Sequence, residues 1–348
     1  MKNYTIIKGD IENDEEAILS LVHRNLNDAY SEQRYDWNYR QCPIGNALCW
    51  LAKSESTDSN VGSASLFPRR LIINEKPVLA GIIGDFSIDE AHRGYGPAIE
   101  LLKKVALEEG TPDRYLLYET PNEKSTPVFF RVGYEEIGRV RVYTKPLNMM
   151  NLPKHLLPKY LRSKCVLRII DTLSDLLSKE KRVKDRFSHS FDMPGSFDER
   201  FDVLWEKVSK QFGIVGERSS RYLNWRYMQS HVCYRIFCIL DEKNELGGYL
   251  VYRVSENICY VDDVLVLPSG NLFDLLLAKF ALRQREEGIG AIVIRYMGNS
   301  SIPRKLRQFN FVEVDNNTRV LLYTDGFPNQ SYLLDEANWY FFAGDMDI

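Results

Sequence analysis

The stretch that decides the fold reads Ile88-Asp89-Glu90-Ala91-His92-Arg93-Gly94-Tyr95-Gly96-Pro97-Ala98. It joins the apolar run Val78–Ile88 to Gly96–Glu109, where Ile99, Leu101, Leu102, Val105 and Leu107 recur at helical spacing. The pattern predicts a strand, a glycine-rich turn and an amphipathic helix. A helix start leaves backbone N–H groups unpaired and carries the positive end of the helix dipole, which suits a pyrophosphate. Glycine lets the anion approach the backbone, and Arg93 adds a fixed positive charge. A plain tight turn is the commoner meaning of a short Gly-x-Gly. The strand before it and the long helix after it favour the anion-binding reading.

The same alternation extends outward in both directions. Tyr4–Lys8 reads as a strand and Glu15–Leu26 as a helix, followed by strands at Ala47–Lys53, Gly62–Phe67 and Leu71–Asn74. Asn74-Glu75-Lys76-Pro77 is the turn into Val78–Ile88. Beyond the helix come the strand Arg114–Glu119, the short helix Thr126–Val132 ending at Gly133, and a closing strand Ile137–Tyr143. The order starts again near Phe197. Helices Phe201–Phe212 and Arg218–Gln229 precede strands Tyr234–Leu240, Gly248–Val254 and Ile258–Leu267, then helix Leu272–Glu287, strand Ala291–Met297, helix Ser301–Phe309 and strand Arg319–Thr324.

Local sequence supports an internal repeat. Asn122–Tyr134 lies without gaps over Asn299–Phe311 at an offset of 177, and Glu109-Gly110 over Glu287-Gly288 at 178. Each of those glycines is expected as a left-handed helix cap. Trp37-Asn38-Tyr39 faces Trp225-Arg226-Tyr227 at an offset of 188. The 348 residues therefore divide into a tandem pair of units, 1–147 and 197–348, joined by a linker over 148–196.

Composition narrows the function classes. A 44% hydrophobic chain with 12% aromatics is globular, and a net charge of −3 provides no basic field for nucleic acid. The N-terminal residues lack the apolar core of a signal peptide and no window spans a bilayer, so the cytoplasm is the expected compartment. Six cysteines (Cys42, Cys49, Cys165, Cys233, Cys238, Cys259) show no CxxC pair or histidine at ligand spacing, so no metal is expected and the thiols read as core filling. His92 and His231 read as surface or capping residues. Between Leu152 and Phe187 ten basic residues face four acidic, and Val166, Leu167, Ile169, Ile170, Leu173, Leu176 and Leu177 recur at helical spacing. Such a helix either packs its stripe on one unit or makes peripheral contact with an anionic membrane.

Arg93-Gly94-Tyr95-Gly96-Pro97-Ala98 resembles the pyrophosphate-binding signature Arg/Gln-x-x-Gly-x-Gly/Ala of the GNAT superfamily of N-acetyltransferases. The residues before it are similar to that family's Val-x-Pro lead, with Glu90 at the usual proline. Asn122 and Gly133-Tyr134 supply its second landmark. The resemblance implies an α/β chain on a mixed, curved sheet whose fourth and fifth strands splay apart to admit acyl-coenzyme A (acyl-CoA), with acetyl-CoA the expected co-substrate. It implies cofactor contacts from Phe86, Ile88, Arg93, Gly94, Tyr95, Gly96, Ala98 and Asn122. Pro97 lacks one amide donor. The second unit places Asn271, Leu272 and Asp274 where the first has Arg93, Gly94 and Gly96. An aspartate there repels a phosphate, so one cofactor site is expected.

In that family an amine attacks the thioester directly. Asp85 and Glu119 are candidates for the base that takes its proton, each weighed against a carboxylate solvated at a strand end. The tyrosine that commonly serves as acid is here Phe129, which cannot donate; Tyr95, Tyr118 or water are the alternatives. Arg221–Tyr227 and the tail Asn338–Asp347 resemble tandem acetyltransferase-like proteins of bacterial surface polysaccharide biosynthesis. Trp37, Tyr39, Trp225 and Arg226 are then candidate substrate residues, suited to stacking a sugar and holding an anion; a tryptophan core anchor is the alternative. The leading expectation is an N-acyltransferase acting on a small amine such as an amino sugar or its nucleotide conjugate. A catalytically silent acyl-CoA sensor and an aminoacyl transferase of cell-wall precursors are the competing readings.

Overall fold

The computed structural model describes residues 3–26, 31–153, 163–176, 178–185, 189–314 and 318–347. Much of the linker's basic and apolar run lies outside them, including Lys154, Lys159, Arg162, Leu177, Arg186 and Phe187. The side chains of Tyr95, Cys165, Leu173 and Leu176 lie outside as well.

The first half runs β1 (Tyr4–Gly9), α1 (Glu15–Asn25), α2 (Glu32–Tyr35), a π-helical turn at Asp36–Arg40, β2 (Leu48–Ser54), β3 (Ser59–Ile73), β4 (Lys76–Ile88), α3 (Tyr95–Glu109), β5 (Leu116–Glu119), α4 (Thr126–Val132), β6 (Glu135–Arg139) and β7 (Arg141–Pro146). The linker contributes α5 (Lys164–Leu176). The second half runs β8 (Ser190–Asp192), α6 (Glu199–Val208), β9 (Ile214–Gly216), α7 (Ser220–Leu223), a π-helical turn at Asn224–Met228, β10 (Arg235–Leu240), β11 (Leu246–Ser255), β12 (Ile258–Val266), α8 (Leu272–Glu286), β13 (Ala291–Gly298), α9 (Ser301–Gln308), β14 (Val312–Val314), β15 (Arg319–Tyr323), α10 (Gln330–Leu333) and β16 (Trp339–Phe342). In each half three antiparallel strands lead through a helix to a parallel fourth, as β2-β3-β4-α3-β5 and as β10-β11-β12-α8-β13.

Sequence periodicity finds most of these elements within a residue or two. Where it joins or divides strands wrongly, hydrogen bonding is the reason. β3 passes through Pro68 unbroken. One edge of β3 pairs with β2 only as far as Leu66 and with β9 only from Leu71, so the missing proline N–H removes no ladder bond on that side. The predicted strand Ile137–Tyr143 is instead two. β6 stays in the first half, while β7 crosses to pair with β13 over Arg141–Pro146 and with β14. In return β15 crosses back to pair with β5 and β6.

This exchange welds the halves together. Tyr143 and Leu147 are buried in the core of the second half, and Val320 and Leu322 in that of the first. Burying each such side chain contributes about 1.5–3 kcal/mol, so neither half has a complete core without the other's strand. The chain division at 147 is therefore not a packing boundary. A continuous sheet runs through the junction in the order β4-β3-β9-β16-β13-β12.

A second weld lies at the paired tryptophans. The indoles of Trp37 and Trp225 stack with centroids 5.2 Å apart at 20°. Trp37 Nε1 donates to the Trp225 carbonyl at 2.7 Å, and Trp225 Nε1 to the Trp37 carbonyl at 2.8 Å. Both rings are buried. The two segments thus hold each other through the same pair of contacts in both directions.

Two smaller expectations change. Gly288 is left-handed with φ of +74°, but Gly110 has φ of −80°, so only the second helix ends in the expected cap. Cys42, Cys49, Cys238 and Cys259 are buried, whereas Cys233 is exposed. The linker end belongs to the second half: buried Glu180 pairs with buried Lys145 at 3.0 Å. Val166, Arg168 and Ile169 of α5 are exposed. No helix among the described residues is long and apolar enough to cross a membrane.

Candidate functional site

β4 and β5 pair in parallel only through Ala80–Ile82 and Leu116–Tyr118. Beyond that point they part. A bulge opens on β4, where Asp85 and Phe86 together face the single residue between Ser63 and Ser65 on β3. Asp85 adopts φ of +48° to make it, a conformation that aspartate tolerates better than most residues. A bulge bends the strand that carries it, and this one lies just past the last β4–β5 pair, Ile82 with Tyr118.

The space so opened is one groove with two chambers that share Leu26, Phe86, Asn122 and Ser125. The larger, about 630 Å³, runs past Ile88, Arg93, Gly94, Ala98 and Lys124 at the start of α3. The smaller, about 370 Å³, is lined by Gly84, Asp85, Glu119, Phe129, Thr318, Met346 and Asp347.

The α3 end is open and flanked by basic side chains, features that suit an anion. Among the described residues a Cβ built on Gly94 meets nothing within 4 Å, and one on Gly96 only Tyr4 Cε2 at 4.0 Å. Gly94 has an ordinary extended backbone, φ −149°. Glycine is therefore not needed there for its backbone angles, and what it leaves is open space in front of the helix amides. Arg93 lies at the groove but is braced, its Nε donating to the Ile88 carbonyl at 3.0 Å and its Nη2 to Asn25 Oδ1 at 3.2 Å. Asn122 sits at the waist. Its Oδ1 accepts from the backbone N–H groups of Lys124 and Ser125 at 3.0 Å, closing the turn into α4. Phe86, Ile88, Ala98 and Asn122 all line the groove; the side chain of Tyr95 lies outside the described residues.

Two carboxylates predicted from sequence meet in the smaller chamber, in different states. Asp85 is buried and held: Tyr39 Oη donates to its Oδ2 at 2.8 Å, and Arg34 Nη1 lies 3.6 Å from its Oδ1. Burial raises its pKa, while Arg34 and the Tyr39 hydrogen bond pull it back. Glu119 is buried too, but its Oε2 has no hydrogen-bond partner among the described residues. Burial first, and then the charge of Asp347, hold its carboxyl well above the usual carboxylate range. Phe129 packs edge-on to Phe86 and to Tyr134, closing the wall with carbon. Tyr118 is no donor to this chamber, because its hydroxyl is given to the Asp345 carbonyl at 3.0 Å.

The residues read as a sugar platform do not reach the groove. Trp37 and Trp225 are sealed in the junction by each other's carbonyls, and buried Arg226 donates to the carbonyls of Gly344 at 2.9 Å and Met346 at 2.8 Å. Tyr39 is also buried and acts on Asp85. A stacking surface must be open on one face, and these rings are covered on both.

The residue that sequence reasoning leaves without a role is Asp347, at the end of the tail Asn338–Asp347. Arg218 grips Asp345 with two bonds, of 2.8 and 2.6 Å, and Arg226 holds the carbonyls on either side. The clamp lays Asp347 over Gly84, where a Cβ would stand 2.5 Å from Asp347 Oδ2. The second half thus supplies Thr318, Met346 and Asp347 to a groove in the first. The aromatic run Trp339–Phe342 next to Gly344 is a buried-strand signal, but nothing local says which half receives it.

No family profile and no curated protein matches the sequence. Solved structures do. A conserved Enterococcus faecalis protein described as a probable N-acyltransferase superposes with a TM-score of 0.67 at 13% identity, over 92% of this chain and 72% of that one. A GCN5-related N-acetyltransferase from Anabaena variabilis gives 0.63 at 13% identity with the same coverages, 92% and 72%. Saccharomyces cerevisiae N-myristoyltransferase, solved with bound myristoyl-CoA, gives 0.60 at 11% identity over 93% of this chain and 83% of that one. The chain has the GCN5-related N-acetyltransferase fold.

In the second half of this acetyltransferase fold the corresponding splay is filled. β13 pairs with β12 only through Ala291–Ile294, and farther along with β16 through Tyr296–Gly298. Asp274, at the position of Gly96, is paired with Lys305 at 2.8 Å. A cavity of about 400 Å³ remains beside Gly270 and Asn299, walled by Phe212 and Tyr340.

Proposed function

We propose that the protein is an acyl-CoA-dependent N-acyltransferase of small primary amines, with one co-substrate site in its first half. The observation that carries this is the single groove between β4 and β5, open helix amides at one end and buried carboxylates at the other. The open faces of Gly94 and Gly96 and the charges of Arg93 and Lys124 support a pyrophosphate at the α3 end. The strand end Phe86–Ile88 supports the pantetheine beside it. Glu119, whose Oε2 lacks a partner among the described residues and whose proton affinity is raised, suits the base that takes a proton from the attacking amine. Asp85 suits a positioning role, since Arg34 and Tyr39 already satisfy it. The strand β16 in the second splay supports a single co-substrate site.

Acetyl-CoA is the acyl donor to test first. Amino sugars belong in the acceptor panel, although the tryptophans that suggested them lie in the junction. A sugar nucleotide brings a pyrophosphate, which the three carboxylates of the acceptor chamber oppose. The test is thiol release from acetyl-CoA across amines, with calorimetry for binding. Amine-dependent release supports the reading. A second reading, a silent acyl-CoA sensor, is favoured by Phe129 and predicts tight binding with no release. Peripheral membrane contact through α5 rests on exposed Val166, Arg168 and Ile169; co-sedimentation with phosphatidylglycerol vesicles tests it, and no sedimentation removes it.

A further inference from the structure

The two chambers of the groove differ in charge. The α3 chamber is lined by Arg93 and Lys124 and by no carboxylate among the described residues. The other is lined by Asp85, Glu119 and Asp347 and by no lysine, arginine or histidine among them. Of the three, Asp85 is answered by Arg34 and Tyr39. Glu119 is 7% exposed, and its Oε2 finds no donor among the described residues. A buried carboxylate oxygen without a donor is costly, and one facing a cavity is accounted for by a donor that arrives with a ligand. Among the described residues no cation lines the chamber: Arg218 is bound to Asp345 and Asp263, and Arg69, buried over the Trp225 ring with its charge within reach of Asp347, donates to the Pro68 carbonyl.

We propose that this chamber binds the acceptor amine as an ammonium ion between Glu119 and Asp347, and so selects primary amines that carry no acidic group near the nitrogen. The inference rests on the acyltransferase reading and adds to it the class of acceptor. It also gives the second half a role, since the clamp of Arg218 and Arg226 on residues 344–346 is what delivers Asp347. The proton balance follows. Glu119 takes one proton from the ammonium, leaving a neutral amine whose lone pair attacks the thioester carbonyl carbon. The C–N bond forms as the C–S bond breaks. The thiolate gains the second proton shed by the nitrogen, giving an amide and a free thiol, and Glu119 returns its proton to solvent.

The test compares n-butylamine with 4-aminobutyrate, which differ by a terminal carboxylate, using the full chain, acetyl-CoA and a thiol readout. The expected kcat/KM for butylamine exceeds that for 4-aminobutyrate at least tenfold. Asp347→Asn reduces that ratio to about threefold or less, chiefly by raising KM for butylamine, while calorimetry still detects acetyl-CoA at the other end of the groove. Glu119→Gln, should it fold, narrows the ratio in the same direction. Equal use of the two amines, or an unchanged ratio in Asp347→Asn, overturns the proposal while the acyltransferase reading stands. If neither amine is acylated, dissociation constants of both for the CoA-loaded protein, read by ligand-observed NMR, decide it: preference for butylamine supports it, and no preference or no binding overturns it. Failure of the wild-type chain to bind acetyl-CoA is the distinct result that removes the acyltransferase reading itself.

Discussion

Gly94→Asp separates the fold from the function because the two effects have opposite signs. Position 94 is the residue before the first turn of α3, with an extended backbone and no atom of the described residues within 4 Å of a new Cβ. An aspartate fits there without strain. It is also a favoured cap, and its charge at the helix start adds about 0.3–1 kcal/mol. The variant is therefore expected to melt at the wild-type temperature or slightly above it. Its carboxylate, however, points into the space assigned to the pyrophosphate. Two like charges ~4 Å apart repel by about 1 kcal/mol in water and about 4 kcal/mol at an effective dielectric of 20. The Kd for acetyl-CoA should then rise roughly 5- to 1,000-fold, before counting the volume that the side chain fills. Calorimetry with acetyl-CoA reads the affinity, and thermal unfolding reads the fold. Unchanged affinity in the folded variant would refute the assignment of this turn to the co-substrate. Loss of both affinity and fold would refute the claim that Gly94 is there for space.

Other outcomes follow from the same geometry. Glu119→Gln should lower kcat by about 10²–10⁴ if Glu119 is the base, read by thiol release; a rate within threefold of wild type removes it from that role. The wild-type rate should fall as pH drops through the raised pKa of Glu119, whose surroundings include Asp347, Asp85 with Arg34, and Tyr134. A carboxyl with a raised pKa in the folded state contributes stability at low pH and loses it as pH rises through that value. Glu119→Gln should accordingly gain in melting temperature relative to wild type from pH 5 to pH 8, and a constant difference would contradict the burial argument. Trp37→Ala should cost about 3–5 kcal/mol in denaturant unfolding, acting on stability because the ring joins the halves; a stable variant with a raised acceptor KM would restore it to the substrate site. Arg218→Leu strands the carboxylates of Asp263 and Asp345 and should cost about 3–5 kcal/mol. If it still folds, acceptor turnover should fall while acetyl-CoA binding persists.

How much of this was legible in the sequence depends on whether the signal was local. The turn at 93–98 is local chemistry, a glycine pair before an amphipathic helix, and its placement after a strand was sound. So was the order of elements, because apolar periodicity is a property of each segment alone. The strand exchange was invisible. No proline marks the passage of the chain at Val140 from one half to the other, Gly138 lies inside β6 and not at the crossing, and β7 and β15 read as apolar strands whichever sheet they join. The tryptophans show the converse. Their matching positions suggest a binding face as readily as a buried contact, since sequence gives type and spacing but not which side is covered, and both rings are buried. Asp347 was quoted within the tail and given no role. Only the clamp of Arg218 and Arg226, 127 and 120 residues from their partners, brings it to Glu119.

The most direct test of the account is thiol release from acetyl-CoA by the wild-type chain as n-butylamine is titrated, run beside Gly94→Asp. The account predicts saturable, amine-dependent release in the wild type and none above background in the variant. Tight acetyl-CoA binding with no release at any concentration of any amine in the panel would contradict it, and would leave a protein that holds the co-substrate without using it.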